Sequence, residues 1–465
     1  MSALWTSAEA EAATLGHASA PFVATGLSID TRTLKSGDLF IALKGDARDG
    51  HEFVRAAFDA QASAALVSRA CMEANGSRLQ VADTLRGLED LARAARARTH
   101  AKILAVTGSA GKTTTKEMLR LACGALGITH ASAASYNNHW GVPLSLAATP
   151  REAQFGIFEI GMNHFGEIRA LAGFVKPHVA LVTTIAPAHL EFFGSCEAIA
   201  DAKSEIFESV VPGGAAVIPA DSPYAERLQA RAKQANVSRI LSFGTKGDAR
   251  ILSVDDMAEG VRVEAEILGR EIHFRMHASG VHLASNAVGA LLAVAALDGD
   301  VLNAAAALSD FSPLKGRGAR TRLSFGGGSL ELIDESYNAN PGSMTAALDV
   351  LARIEPGAGG RRIAVLGDML ELGPDAPTLH AGIASDIERA RIDLVFASGP
   401  LMRALWDALP ASGRGGYAEN SGALAPKLLA ALRVGDVVLV KGSFGSRMSV
   451  IVDALQKRDE RGAHV

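Results

Sequence analysis

Short runs of consecutive apolar residues alternate along this chain with stretches in which apolar positions recur every three or four residues. The runs read as buried strands and the recurring positions as amphipathic helices. Over the first 98 residues the pattern predicts strands at Asp38–Leu43 and Ala64–Val67, a helix from about Glu52 to Ala60, and a longer helix over Thr84–Arg98. Leu85, Leu88, Leu91 and Ala95 share one face of that last helix. From Ile103 the alternation is regular, with strands at Ile103–Val106, Phe155–Ile160, Val179–Thr184 and Ala215–Pro219. Strands separated by helical stretches imply a parallel sheet with right-handed crossovers. Ile251, Val254, Val261, Val263, Ile267, Ile272 and Phe274 then sit in short, mostly alternating runs, which read as a small antiparallel β insert. An Ala/Leu-rich helix over Leu283–Leu297 follows. Near Pro313 the pattern restarts with a hairpin, Arg322–Phe325 to Leu330–Asp334, turning at Gly326–Gly328. Three more strand–helix steps start from Ile363–Leu366, Leu394–Ala397 and Val437–Val440, and the charged tail Lys457–Val465 is expected to fray.

The reading is an α/β protein of three domains. Residues 1–98 form a small α/β domain, 99–312 a central parallel-sheet domain with the β insert, and 313–465 a Rossmann-like α/β domain. The length of 465 residues agrees, at roughly 100–200 residues per domain. With 48% hydrophobic and 21% charged residues the composition is that of a folded soluble protein. A formal charge of −4 offers no basic excess to neutralise phosphates along a nucleic acid, so that partner is disfavoured. Cys71, Cys123 and Cys196 lie far apart with no CxxC pair, which excludes a disulfide scaffold and fits a reducing compartment. The N-terminus lacks a basic region followed by an apolar core, and apolar stretches such as Ala287–Leu297 fall short of the ~20 residues that span a bilayer. A cytoplasmic protein without membrane insertion is expected.

The strongest chemical signal is Val106-Thr-Gly-Ser-Ala-Gly-Lys-Thr-Thr-Thr115, after a strand and opening a helix. Gly108 and Gly111 let the backbone approach phosphate oxygens, the N–H groups of the helix start face them, and Lys112 adds a point charge. Thr113 would place its hydroxyl on Mg²⁺. Val106 stands where the usual phosphate loop has its first glycine. Further candidates sit at later strand ends, where α/β sheets place their sites. Glu159 closes an apolar strand and suits an Mg²⁺ ligand, and His189 lies just past the following strand. Lys203 reads by spacing as a plain helix lysine, and an ammonium repels Mg²⁺. Asn137 and Asn138 form a polar, turn-prone knot. The dense cluster Asp334-Glu-Ser-Tyr-Asn-Ala-Asn-Pro-Gly-Ser343 suggests polar ligand recognition. Lys441-Gly-Ser-Phe-Gly-Ser-Arg447 offers basic groups and hydroxyls at a helix start, suited to an anion.

Together these stretches resemble the ATP-dependent Mur ligases of peptidoglycan precursor synthesis, from about Ser28 to Val450. The short loop Thr107–Thr115 is that family's form. Asp30-Thr-Arg32, Gly37–Phe40, Asp49-Gly-His51, Tyr136-Asn-Asn138, Asp334-x-x-Tyr337-Asn-Ala-Asn-Pro341 and Leu366–Gly373 resemble its dipeptide-adding branch. An Asp-Asn-Pro-Arg motif, which marks the diaminopimelate-adding branch, is absent. The resemblance implies that Gly108, Ser109, Ala110, Gly111, Lys112, Thr113 and Thr114 hold ATP, with Asn286 on the adenine side and Arg317 and Asp334 closing from the third domain. It implies one Mg²⁺ on Thr113 and Glu159 and a second on His189, with Lys203 carbamylated into a carboxylate ligand. Lys112, Glu159, His189 and Lys203 would be catalytic. Asp30, Arg32, Lys44, Asp49 and His51 would face the uridine nucleotide. Asn137, Asn138, Tyr337, Asn338, Asn340 and Ser446 would contact substrate.

The implied reaction joins D-Ala-D-Ala to UDP-N-acetylmuramoyl-tripeptide through an acyl phosphate. The first domain would take the UDP-linked acceptor, the central one ATP and the third the dipeptide, in a monomer that closes about hinges near residues 99 and 313. The diaminopimelate-adding ligase, a folylpolyglutamate synthetase and a nucleotide-switched regulator are the competing readings.

Overall fold

The computed structural model describes residues 3–45, 48–69, 76–133, 135–257, 260–278 and 280–462. Among them, the central sheet has nine strands, built outward from Lys102–Thr107. Phe155–Glu159 pairs with one edge of that strand and Val179–Val182 with the other, both parallel. Thr129–Ala131 lies outside the first, and Ala215–Pro219 and Arg239–Gly244 lie outside the second. The chain therefore winds first to one side of Lys102–Thr107 and then to the other. In such sheets the crevice beyond the carboxyl ends of the strands is where ligands bind. Strands Phe155–Glu159, Val179–Val182 and Ala215–Pro219 are buried along their whole length, which is why they read as unbroken apolar runs.

The expected antiparallel β insert is formed by Ala249–Met257, Gly260–Ile267 and Arg270–Met276. Phe243↔Ala249 and Gly244↔Arg250 pair them onto Arg239–Gly244, so they extend the central sheet. Their inner face packs under the helix Val281–Ala295, which has apolar residues around most of its circumference.

The first unit is a five-stranded sheet with Asp38–Ile41 and Ala64–Val67 in its middle, fully buried. The third is a six-stranded sheet, parallel except for the hairpin Ala319–Phe325 to Gly328–Glu335. Lys457 does not begin a frayed tail, because the helix Ser449–Gly462 runs through it. Cys71 lies outside the described residues, and Cys123 and Cys196 are free thiols. Among the described residues no helix is long and apolar enough to cross a membrane.

One apolar core joins the first two units. Leu4, Trp5, Leu39, Leu66 and Leu91 belong to the same buried cluster as Ile103, Leu146, Phe158 and Phe207. Polar contacts reinforce it: Trp5 Nε1 donates to Ala147 O at 2.9 Å, and Arg96 reaches Val175 O and Lys176 O at 2.7 and 2.8 Å. Arg98 stacks on the Trp5 ring at 3.8 Å. Thr99, near which a hinge was expected, is buried in this packed junction. The third unit has cores of its own.

Candidate active site

The phosphate loop is shaped by contacts only glycine allows. Gly111 has a φ of +79°, and a Cβ there would meet the Asn286 amide at 2.9 Å. Gly108 has a φ of +153°, and its Cβ would strike Thr183 Oγ1. Ser109 is fixed from both sides, its N–H donating to Thr184 O at 2.8 Å and its Oγ accepting from Ala186 N at 3.0 Å. Lys112 Nζ donates back to Gly108 O at 2.7 Å, across the loop it would share with a phosphate. Burial pulls the Lys112 ammonium below its ordinary range, and Arg317 pushes the same way while Glu159 opposes.

Behind the loop lies a set of oxygens. Thr113 Oγ1 donates to Glu159 Oε2 at 2.8 Å, and Asn137 Nδ2 donates to Glu159 Oε1 at 2.7 Å. Ser135 Oγ is 3.3 Å from Thr113 Oγ1 and accepts from Arg317 Nη2 at 3.1 Å. Arg317 comes from the third unit and stacks on Tyr337 with 4.0 Å to the ring centre. Asn340 Nδ2 reaches Ser109 O at 3.5 Å while its own Oδ1 caps the helix Pro341–Arg353. Asn138 Oδ1 accepts from Gly141 N at the start of the next helix.

These groups surround one cavity of about 1160 Å³ between the second and third units. It is lined by Ser109, Ala110, Gly111, Lys112, Thr114, Asn137, Asn138, Glu159, His189, Asn286, Arg317, Tyr337, Asn338 and Asn340. Thus most of the expected nucleotide and dipeptide residues, scattered over more than 200 positions, converge. Gly108 and Thr113 stand just behind the wall. Lys203 is also buried, and burial together with the neighbouring Lys112 charge drives its ammonium well below the ordinary range. Among the described residues it forms no hydrogen bond or ion pair. His189 Nδ1 faces Glu371 Oε2 at 2.5 Å.

Other expected residues do not reach this cavity. Asp334 is buried and engaged by Gly316 N at 2.9 Å and by Ser336 Oγ at 2.6 Å. Ser446 Oγ donates to Ser443 O. Asp30, Arg32, Lys44, Asp49 and His51 sit on the first unit. Arg32 chelates Asp30 and holds its carboxyl down to about 2. The antiparallel bridge Lys44↔Asp49 closes a small loop. His51 has both ring nitrogens engaged, Nδ1 with Asp49 at 2.6 Å and Nε2 accepting from Ser68 N at 2.9 Å.

Three further groups meet the cavity: Glu335 and Lys441, which the sequence offered only within a polar cluster and a basic loop, and His282, which it gave no role. Glu335 lines the cavity and pairs with Lys441, whose Nζ donates to Glu335 Oε2 at 3.1 Å and Asn338 O at 3.0 Å. His282 lies nearby, its imidazole pushed toward neutrality by burial. Strand alternation was the available signal for Glu335, since neighbours on a strand face opposite sides.

Three family models match the chain: "Mur ligase family, catalytic domain" at residues 23–115, "Mur ligase middle domain" at 106–294, and "Mur ligase, glutamate ligase domain" at 321–444. A protein of Rickettsia prowazekii called UDP-N-acetylmuramoyl-tripeptide--D-alanyl-D-alanine ligase is 33% identical over 92% of this chain and 95% of its own length. Its namesake from Escherichia coli is 35% identical over 93% of each. Among solved structures, MurF from Acinetobacter baumannii superposes with a TM-score of 0.84 at 29% identity, covering 97% of this chain and 99% of its own.

Proposed function

The chain belongs to the Mur ligase family, and from that premise we propose that it joins D-alanyl-D-alanine to UDP-N-acetylmuramoyl-tripeptide with ATP, giving the pentapeptide precursor of peptidoglycan, ADP and phosphate. One observation carries this reading: the phosphate loop of the central unit and the Tyr-Asn-Ala-Asn-Pro turn of the third unit face each other across a single cavity.

Amide formation from a carboxylate is uphill in water, so the carboxylate is first made electrophilic. Its oxygen takes the γ-phosphoryl group of ATP and ADP leaves. The amine of the dipeptide then adds to the acyl carbon, and the tetrahedral adduct expels phosphate as nitrogen gives up its proton. Lys112 and the loop N–H groups meet charge that builds on the transferred phosphoryl group. Asn286 sits where the adenine end would lie, and Arg317 on Tyr337 brings a third-unit cation to the same loop. Asn338 and Asn340 supply polar contacts for the dipeptide. Holding three reactants in line removes much of the entropy barrier, and closing the third unit excludes water from the acyl phosphate.

The donor set fits Mg²⁺, a hard cation that needs few protein oxygens when phosphates supply the rest. Thr113 and Glu159 would hold one ion and His189 a second, and bound Mg²⁺ would neutralise phosphate charge. Lys203 would join them as a carbamate, formed when its amine adds CO₂ and releases a proton. Its isolation from partners and its closeness to Lys112 support that reading. The first unit would take the UDP-linked acceptor, the central unit ATP and the third the dipeptide, in a monomeric cytoplasmic enzyme.

Omitting one substrate at a time tests the assignment. Product and ADP should form only when UDP-linked tripeptide, D-Ala-D-Ala and ATP are all present. Equal turnover with free diaminopimelate would move the chain to the sister branch.

A further inference from the structure

His189 and Glu371 belong to different units, yet they meet at 2.5 Å. Neither is a glycine, and both hold left-handed backbone, with φ of +60° and +63°. Such residues cost of order 1–3 kcal/mol each and persist where surrounding structure imposes them. Here the surroundings are explicit. Glu191 N donates to Glu371 O at 3.2 Å, and Gly373, with φ of +67°, packs against the Glu191 backbone. Leu190 packs against the core of the third unit as well as against its own. The short helix Leu190–Phe193 is therefore gripped by the loop that follows strand Arg362–Gly367.

We propose that Glu371 is a positioning residue that orients His189 for a divalent cation, and that it does so only when the third unit is docked. The 2.5 Å approach is an ion-pair contact not aligned as a hydrogen bond in this structure; a proton settled on Nδ1 toward Glu371 would leave Nε2 as the lone-pair nitrogen, as in the carboxylate–histidine–metal arrangement. His189 lines the cavity. The loop that carries the acid belongs to the unit proposed to bring the dipeptide. Docking that unit thus fixes the ring that would hold the second ion. This inference rests on the ligase reading and on His189 as a ligand.

The test is a Mn²⁺ titration of the full-length protein with ADP, followed by electron paramagnetic resonance of the free ion. Glu371→Gln keeps size and hydrogen-bonding capacity but loses the charge. It is expected to bind the first ion like wild type and the second about 10–100-fold more weakly. Glu371→Asp should recover part of that loss. In turnover the Gln variant should lower kcat with little change in KM for the UDP-linked acceptor. A Gln variant with a wild-type second step overturns the latch while leaving the ligase reading intact. Wild-type protein that takes up no ion with ADP overturns the metal assignments themselves. Because Glu371 is about half exposed, folding of the variants is checked by thermal melting.

Discussion

Gly111 shows how much can hang on one missing methyl group. Gly111→Ala adds a Cβ into the Asn286 amide at a φ of +79°. The variant should lose about 1–3 kcal/mol of stability and, in calorimetry, most of its ADP affinity. Unchanged binding would mean that the loop is not the phosphate cradle. Lys112→Met should keep the fold, seen by circular dichroism, and abolish product formation; measurable turnover would remove Lys112 from the mechanism. The buried histidines give a pH effect. Burial lowers the pKa of His130, His282 and His380 below the ~6.5 of an unfolded chain. The unfolded state then binds more protons as pH falls, so this part of the stability is complete above ~6.5 and shrinks below it. Melting temperature should drop between about pH 7 and 5, and a flat profile would contradict the assignment. At this scale the sequence revealed residue types better than surroundings. Lys112 was legible from its motif. Lys203 looked like any helix lysine, because its burial and its neighbour Lys112 arise only when separate elements meet. His51 was legible through the Asp49-Gly-His51 resemblance but not as a ring with both nitrogens already used.

Between elements, the alternation of strand Gly328–Glu335 decides which of two adjacent acids meets a ligand. Asp334 turns inward to hold Gly316 and Ser336, while Glu335 faces the cavity. Asp334→Ala should destabilise the fold by about 1–3 kcal/mol through the donors it strands, and loosen the turn that presents Arg317. A variant with wild-type melting and ADP binding would refute that role. Strands with unbroken apolar runs, such as Ala64–Val67, were readable from spacing alone. Thr129–Ala131 was not, being only three residues long and half-buried. Arg239–Gly244 was missed because its apolar residues are interrupted by Arg239 and Ser242 and are only partly buried over most of its length. The antiparallel strands were seen, but their attachment depends on the Phe243↔Ala249 pairing, a long-range register that no local pattern encodes.

At the scale of the whole molecule, packing joins two of the three units. The core that runs from Leu4 and Trp5 through Phe158 to Phe207 makes the first two units one folding block. The third unit has cores of its own, and the chain enters it past Gly316 and Gly318, both at positive φ. Trp5→Ala should cost about 3–5 kcal/mol and raise hydrogen exchange in strands of both the first and the central sheet. Protection lost in the first sheet alone would show that the block is divisible. Sequence restarts near residues 99 and 313 look alike along the chain; only packing distinguishes a weld from a joint.

That weld limits what inheritance can do with this chain. A first unit recombined from a distant relative would arrive without the indole that caps Ala147 O and shields Arg98, and with a helix face cut for another partner. Substitutions in the first unit must therefore travel with matching ones around residues 141–176. The third unit, which has cores of its own, shares with its neighbours the contacts of His189, Glu191, Ser109 and Ser135 around the cavity, so those are the positions that must travel with it.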